Sequence, residues 1–326
     1  MNPHQHDATR PTNSGSGSGS TGPDAGRPRA HHRDAGEGLP TALVVAEIHD
    51  ISATMRRVRF AGTGVADYLR APRIPNIKLL FPHEGAPLEL PGPGEDHHYS
   101  FAPGQRERVR TYTVRSFDKD ASTLDIDFVR HGRDGLASSW VEDAAPGDSI
   151  GTLGGGGRLP APCDWLLLVA DDTALPAVAG ILEQLPPDQQ GLALLEVDGA
   201  EDHIPLSRPA GLEVRWLHRR GTHPATSDLL VEEALGVPLP ASLEKVFVWA
   251  SAESHVVRAV RKHVRSLGVP RHNQLIIGYW HAGSAEPTYA RTAHNDRVAD
   301  ESSVCLPEVG DLRADAVARL LAGGRP

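Results

Sequence analysis

The sequence predicts a two-domain protein, in which a small closed antiparallel β-barrel is followed by a doubly wound α/β domain. The chain has 326 residues, which exceeds the roughly 100–200 residues of a typical single domain. Its first half contains short strands separated by turns, a spacing typical of a small barrel. Its second half alternates apolar strands with helices, which is typical of a parallel sheet covered on both faces.

Composition and charge place the chain among globular proteins and exclude several classes. Apolar residues make up 39% and charged residues 23%. A net charge of −9 does not provide the positive field that nucleic-acid binding requires, so we expect no nucleic-acid partner. No apolar run approaches the roughly 18 residues of a spanning helix, and the first residues contain no apolar signal segment. Cys163 and Cys305 are the only cysteines, which fits a reduced cytoplasmic compartment. We expect a cytoplasmic monomer with no membrane partner.

Changes in composition divide the chain into four segments. Residues 1–38 contain no Val, Ile, Leu, Phe, Tyr or Trp, so they have little to bury and are predicted to be a disordered tail. Residues 39–159 form the predicted barrel domain, and residues 160–286 form the predicted α/β domain. Residues 287–326 combine a polar linker with a C-terminal helix that carries an apolar stripe.

The barrel strands are predicted as short runs that end at turns, at residues 43–48, 55–60, 77–81, 110–117, 124–129 and 148–153. The run Leu124–Val129 alternates apolar and acidic residues, which predicts a strand buried on one face. A helix at Leu136–Asp143 interrupts the barrel and ends before a Pro-Gly pair.

The α/β domain begins with Trp165–Ala170, a continuous apolar run that predicts a strand buried on both faces. A helix at residues 176–185 follows, and a later helix is predicted to place Val256, Val260, Val264 and Leu267 on one buried face. Further strands are predicted at residues 192–197, 246–250 and 275–279.

The first candidate motif is Arg110-Thr111-Tyr112-Thr113. A flavin requires a ring against its isoalloxazine, a hydrogen-bond partner near N5 and a cation for its phosphates. These residues supply all three within one strand. The same tetrapeptide also fits an ordinary barrel strand with a surface arginine.

The second motif runs from His131 to Trp140, directly after an alternating strand. Gly132 and Gly135 permit a tight turn, and the small Ala137 and Ser138 allow a ligand to approach the backbone. The helix that begins here offers N–H groups to a diphosphate. A plain strand–turn–helix with a serine cap is the alternative.

The third motif is Asp171-Asp172-Thr173-Ala174, at the first strand-to-helix turn of the α/β domain. The turn lacks the glycine-rich fingerprint of most dinucleotide sites. The two carboxylates are predicted to cap the following helix, which leaves Thr173 and Ala174 to contact a nucleotide.

These three stretches, together with Val248–Glu253 and Gly278-Tyr279-Trp280, resemble the siderophore-interacting protein family over residues 39–285. The resemblance implies an FAD-containing, NAD(P)H-dependent ferric-siderophore reductase, related to the ferredoxin reductases. It implies hydride transfer to the flavin and single-electron transfer to chelated ferric iron, with no catalytic acid or base and no resident metal. Reduction would release Fe(II) from the siderophore, and a ferredoxin is the alternative electron donor.

The resemblance also implies roles for individual residues. The implied FAD contacts are Arg110, Tyr112, Thr113, Asp127, His131, Gly135, Ala137 and Ser138. The implied nicotinamide-nucleotide contacts are Asp171, Thr173, Ala174, Glu253 and Trp280. Lys78 and Arg73 are candidates for holding an anionic siderophore, within a basic patch that also includes Arg106–Arg110, although Lys78 also fits a surface position.

Other features leave alternatives open. His281 stands where the family usually has arginine, and Ser251-Ala252 replaces Ala-Gly. Arg219 and Arg220 could meet a 2′-phosphate or be solvated. His97 and His98 are interpreted as loop residues, because adjacent side chains seldom face one ion. The alternatives are a flavin reductase that serves a partner protein, and a siderophore-binding protein that has lost its flavin.

Overall fold

A computed structural model describes residues 40–62, 64–65, 76–94, 99–133, 135–156 and 158–283. The predicted tail at residues 1–38, the segment 287–326, and the residues Arg73, His97 and His98 lie outside the described residues.

The first domain is a closed antiparallel barrel, as the sequence predicts. Its six strands follow one another in the order β1-β2-β7-β6-β3-β8. A separate pair, β4 and β5, lies outside the barrel wall. The elements are β1 (Thr41–Asp50), β2 (Met55–Ala61), β3 (Asn76–Leu80), β4 (Gly92–Pro93), β5 (Tyr99–Ser100), β6 (Val109–Asp118), β7 (Thr123–Val129), α1 (Leu136–Asp143) and β8 (Ser149–Gly156).

Strand β7 is buried on both faces, and the prediction of a half-buried strand is wrong. Its apolar side chains fill the barrel, while Asp125 and Asp127 on the other face are also covered. Arg59 and Arg57 of the neighbouring strand β2 form bidentate ion pairs with these carboxylates, at 2.6–3.0 Å. The acidic residues are therefore buried as partners of arginines rather than exposed to water.

The second domain is a five-stranded parallel sheet in the order β11-β10-β9-β12-β13. Strand β11 and helix α3 are additional to the predicted elements, because β11 is an edge strand with exposed charges and α3 is only seven residues long. The elements are β9 (Trp165–Ala170), α2 (Leu175–Leu182), β10 (Gln190–Val197), β11 (Leu212–His218), α3 (Leu229–Leu235), β12 (Val246–Glu253), α4 (Ser254–Leu267) and β13 (Gln274–Trp280).

Helices cover both faces of this sheet, which confirms the doubly wound architecture. Helix α2 packs on the face that presents Leu166 and Leu168. Helices α3 and α4 pack on the face that presents Leu167 and Val169. The predicted buried stripe of α4 is confirmed except at Leu267, which is 43% exposed at the helix end.

The barrel contacts the α/β domain through apolar and polar side chains. Met55 of β2 lies in the same apolar cluster as helix α2. Arg115 of β6 forms a bidentate ion pair with Glu183, just after α2, at 2.5 and 3.0 Å. Asp202 of the α/β domain accepts hydrogen bonds from Thr54 Oγ1 at 2.6 Å and Thr54 N at 3.0 Å in the β1–β2 turn.

Within the described ranges, no helix combines the length and the apolar character needed to cross a membrane.

We expect Asp202→Ala to reduce the free energy of unfolding by about 1–3 kcal/mol, because it leaves half-buried donors of the β1–β2 turn without their charged acceptor. Urea denaturation would measure the loss. Glu201→Gln, at an exposed neighbouring acid, is the control and should change stability by less than about 0.5 kcal/mol. Equal small losses in both variants would contradict a role for Asp202 in joining the domains.

Candidate functional site

The hydrogen-bonded ladder between β6 and β7 stops short of the first candidate motif. The β6–β7 ladder begins at Val114 and continues to Asp118. Residues 109–113 of β6 form a ladder only with β3 on the opposite side. The end of β7 forms its ladder with β2. The first half of β6 therefore provides a place where a flat ligand can lie against a strand.

The three motif side chains occupy different sides of this strand. The Tyr112 ring lies 4.5 Å from the Phe128 ring, centroid to centroid, on the barrel-core side. Arg110 is half-buried, and its Nη1 donates hydrogen bonds to the carbonyl oxygens of Glu107 and Val109 at 2.8 Å. Thr113 is 7% exposed and faces the α/β domain. A ring, a cation and a hydroxyl group thus surround one short strand segment.

The loop after β7 forms the predicted tight turn. Gly132 and Gly135 have φ values of +79° and +105°, which favour glycine at both positions. The Ser138 hydroxyl accepts a hydrogen bond from the His131 N–H and donates one to the Gly132 carbonyl at 2.7 Å. Ser138 thus secures the turn, while His131 is exposed and Ala137 is half-buried.

No side chain caps the N-terminus of α1, so the serine-cap alternative is excluded. The N–H groups of its first turn and the positive end of its dipole remain suited to an anionic group.

Other predicted barrel residues have structural partners. Both carboxylate oxygens of Asp127 accept from Arg57, and the side chain has no exposed surface. Arg108 is buried and donates to the Phe81 carbonyl at 2.5 Å, so the predicted basic patch does not extend through residues 106–110. Lys78 is half-buried on β3, opposite Thr111 of the motif strand.

The second half of the site lies at the carboxyl ends of β9, β12 and β13. From β9 the chain adds β10 and β11 on one side of the sheet. It then returns past β9 and adds β12 and β13 on the other side. A crevice forms at such a reversal in open α/β sheets, and ligands bind there. The third motif follows β9 directly at this point.

Asp171 joins the three strand ends. One carboxylate oxygen accepts from Thr173 N and Thr173 Oγ1, at 3.0 and 2.5 Å. The other accepts from Glu253 N at 2.9 Å and from Trp280 Nε1 at 2.8 Å. Burial and the neighbouring Asp172 charge raise the pKa of Asp171 to about 7. The acid thus fixes the Trp280 ring at the crevice.

The predicted capping role of the two aspartates is wrong, because no side chain caps α2. Asp172 instead accepts from Arg219 Nη2 at 2.8 Å, in a buried ion pair. Arg219 Nη1 also lies 3.6 Å from Glu196 Oε1. A 2′-phosphate role for Arg219 is therefore wrong, whereas Arg220 is exposed. The Ala174 side chain is fully buried in the apolar core, and Thr173 is the partly exposed residue of this turn.

Glu253 lies beneath a group of polar side chains at the end of β12. It accepts hydrogen bonds from the Ala282 N–H at 3.0 Å and from the backbone N–H of His255, and its Oε2 lies 2.6 Å from His255 Nδ1. Burial opposes ionisation, but these donors outweigh it and lower the pKa of Glu253. His281 Nδ1 lies 2.6 Å from Ser254 Oγ and 3.3 Å from Glu253 Oε1, so the histidine at the family's arginine position is part of this group.

Tyr279 connects the two halves of the site. Burial raises the pKa of Tyr279, and the neighbouring side chains of Ser251 on β12 and Thr113 of the barrel oppose this rise. The sequence predicts no role for Tyr279, although this residue lies between Gly278 and Trp280 of the Gly-Tyr-Trp motif. Its apolar neighbours predict only a strand, and nothing in the sequence indicates a partner 166 positions away, at Thr113.

Among the residues that the structure describes, no group of three or more His, Cys, Asp or Glu side chains is arranged to hold a metal ion.

Comparisons with known proteins agree with this arrangement. Residues 44–159 match the model of the siderophore-interacting FAD-binding domain, and residues 163–283 match that of the siderophore-interacting protein family. A ferric vibriobactin reductase of Vibrio cholerae is 30% identical over 247 residues, which cover 75% of this chain and 90% of that protein. An NADPH-dependent ferric-chelate reductase of Escherichia coli is 27% identical over 248 residues, covering 74% and 92%. The crystal structure of a siderophore utilization protein from T. fusca has a TM-score of 0.69 and 36% identity, covering 77% of this chain and 96% of that one.

We expect the stability of the protein to depend on pH through Asp171. Its pKa is about 7 in the folded state and roughly 3.9 in an unfolded chain. Between these values the folded state binds more protons than the unfolded state, so the free energy of unfolding falls as the pH rises. Asp171→Asn removes this titration. Urea denaturation from pH 4 to pH 7 should therefore show the wild type losing stability relative to the variant, and a constant difference would contradict the assignment.

We expect Arg219→Met to cost about 3–5 kcal/mol of folding free energy, because it leaves Asp172 and Glu196 buried without a cation. Arg220→Met is the matched control, since the adjacent arginine is exposed and should tolerate the change within about 0.5 kcal/mol. Thermal and urea unfolding would measure both. Similar values for the two variants would show that the Arg219 ion pair contributes little.

Proposed function

We propose that this chain, which belongs to the siderophore-interacting protein family, is a flavin-dependent reductase that passes electrons from a nicotinamide nucleotide to ferric iron in a siderophore. One observation carries the proposal. The strand that is suited to a flavin, β6, meets the crevice that is suited to a nucleotide through the Thr113–Tyr279 contact. Two cofactors held there would lie next to each other, as direct transfer between them requires.

The residues of the barrel fit FAD. The parted ladder beside Arg110–Thr113 offers one side of a strand to the isoalloxazine, with Tyr112 as its ring neighbour. The loop held by Ser138 and the uncapped first turn of α1 offer N–H groups to the diphosphate. Arg110 supplies a nearby cation. We propose that His131, Gly135 and Ala137 line the diphosphate site at this loop. Asp127 would support strand β7 through its ion pair with Arg57.

The crevice of the α/β domain fits the nicotinamide nucleotide. Thr173 and the Trp280 ring are held there by Asp171, and Glu253 completes the edge. Ala174 contributes backbone rather than side chain, because its methyl group lies in the core. The NADPH-dependent ferric-chelate reductase of Escherichia coli supports a nicotinamide donor.

The substrate we propose is an anionic ferric chelate. Lys78 lies on β3 directly opposite the motif strand, where a cation can attract the chelate to the flavin. Arg73 remains a candidate for the same role. The Vibrio cholerae relative, named a ferric vibriobactin reductase, supports a siderophore as the carrier of the iron.

The proposed reaction converts one reduced nicotinamide nucleotide and two ferric ions into the oxidised nucleotide, one proton and two ferrous ions. Bound FAD supplies the exchange between a two-electron donor and a one-electron acceptor. The residues of the chain bind and orient the reactants, and no side chain needs to act as an acid or base. Iron(II) binds hard oxygen ligands less tightly than iron(III), so the iron leaves its chelator after reduction.

The absorbance spectrum of the purified protein, recorded without oxygen, tests the proposal. We expect the bands of oxidised flavin to bleach with NADH or NADPH and to recover when a ferric siderophore is added. Flavin that bleaches with neither nucleotide would overturn the nicotinamide donor and favour a protein donor such as a ferredoxin. Flavin that bleaches but does not recover with ferric chelates would favour a reductase that serves a partner protein. Failure to bind added FAD would overturn the reductase and leave a siderophore-binding protein.

A further inference from the structure

Four charged side chains, Asp50, Arg56, Arg130 and Glu142, form a closed charge ring at the C-terminal end of helix α1. Arg130 Nε and Nη2 donate to the two carboxylate oxygens of Glu142, each at 2.8 Å. Arg130 Nη1 donates to Asp50 at 3.0 Å. Arg56 donates to both oxygens of Asp50, at 2.6 and 3.3 Å, and its Nη1 lies 3.8 Å from Glu142 Oε2. Acids and arginines alternate, so each acid has two cationic neighbours.

The charge ring joins α1 to three strands of the barrel. Asp50 ends β1, Arg56 lies on β2, and Arg130 directly follows β7. Arg56 Nη1 also donates to the Val141 carbonyl at 3.0 Å, and this is one of the last carbonyls of α1, which have no partner within the helix. The side chains of Arg56, Arg130 and Glu142 are at most 25% exposed, so water screens these ion pairs less than it screens pairs on an open surface.

The ion pair between Arg130 and Glu142 brackets the second motif. Arg130 immediately precedes His131, and Glu142 lies two positions after Trp140, so the pair joins the two ends of the loop and helix at residues 131–141. Helix α1 has only eight residues, and a helix of this length is not stable by itself in water. Its position therefore depends on its contacts with the barrel. The apolar core holds one face of the helix, and the charge ring holds its C-terminal end.

We propose that Arg130 and Glu142 are positioning residues for FAD, because their ion pair fixes the orientation of the loop and first turn that offer N–H groups to the diphosphate. This inference rests on the proposed function. The ion pair lies about one helix length, roughly 12 Å, from the first turn of α1. It acts by orienting the backbone and not by touching the cofactor.

Electrostatics and positioning predict opposite effects of neutralising Glu142. A negative charge repels the phosphates of FAD, so its loss alone would leave the affinity unchanged or raise it. Loss of the bidentate pair frees the end of α1 and lowers the affinity. Asp143→Asn is the matched control, because it removes the same charge from the next residue of the helix. The ion pair of Asp143 with Arg133 is 59% and 65% exposed, so it contributes little to the position of α1.

Titration of the apo-protein with FAD, followed by flavin fluorescence, tests this inference. We expect Glu142→Gln to weaken FAD binding about threefold, the loss that corresponds to one partly screened ion pair. Asp143→Asn should change the affinity by less than about 1.5-fold. Arg130→Gln combined with Glu142→Gln restores the net charge of the wild type. The loss of about threefold should persist in this double variant, because both changes remove the same interaction.

Hydrogen exchange of the apo-proteins provides a local readout. In Glu142→Gln the amides of residues 131–141 should exchange faster, while those of the parallel sheet should exchange as in the wild type. Thermal unfolding would identify any variant that fails to fold. Arg130→Lys is then the second probe, because it keeps the charge and loses the bidentate geometry. Its loss of FAD affinity should lie between the wild type and Glu142→Gln.

The outcomes separate this inference from the proposed function. FAD affinity in Glu142→Gln equal to or above that of the wild type would overturn the inference alone. Equal losses in Glu142→Gln and Asp143→Asn, or faster exchange spread evenly over both domains, would also overturn it alone. A wild-type protein that does not bind FAD would overturn the proposed function together with the inference.

Discussion

The candidate site depends on the fixed position of the barrel against the α/β sheet. The proposed flavin residues lie on β6 and the proposed nucleotide residues lie at the ends of β9, β12 and β13, so neither domain forms the candidate site alone. Among the described residues, polar contacts and an apolar cluster hold the two together. They include Asp202 with Thr54, Arg115 with Glu183, Tyr279 with Thr113, and Met55 beside helix α2. The contacts are spread over separate elements, which resists rotation as well as separation.

The proposed nucleotide crevice contains a carboxylate at the position where most dinucleotide sites have glycines. A glycine-rich turn admits the diphosphate through the absence of side chains. In this protein Asp171 gathers the ends of β9, β12 and β13 instead, and Trp280 is among the groups that it orients. Asp171 lies next to a second carboxylate, Asp172. The two acids can be buried side by side because the positive charge of Arg219 neutralises Asp172. Removal of any of these charges would disturb the others.

The sequence predicts the fold well because apolar periodicity reports burial, and burial determines sheets and helices. The alternation of apolar and acidic residues on β7 led to the wrong prediction of a half-buried strand, because the pattern does not reveal what covers the acidic face. The arginines that cover it lie on a strand about 70 residues away. The three motifs lie in the two halves of the candidate site. They could not show that Arg219 pairs with Asp172 or that Ala174 turns into the core, because pairing over 47 residues is decided by three-dimensional packing. Tyr279 was missed for the same reason.

The charge beneath the crevice has a consequence for the reaction. Asp171, Asp172, Glu196 and Glu253 lie at one edge of the sheet, with Arg219 as the buried cation among them. A nicotinamide ring gains a full positive charge when it gives up its hydride, and a negative edge favours that change. The same field would hold the oxidised nucleotide after the transfer. In the proposed reaction, an acidic crevice would favour the oxidised nucleotide over the reduced one, and this effect would grow as Asp171 ionises near pH 7.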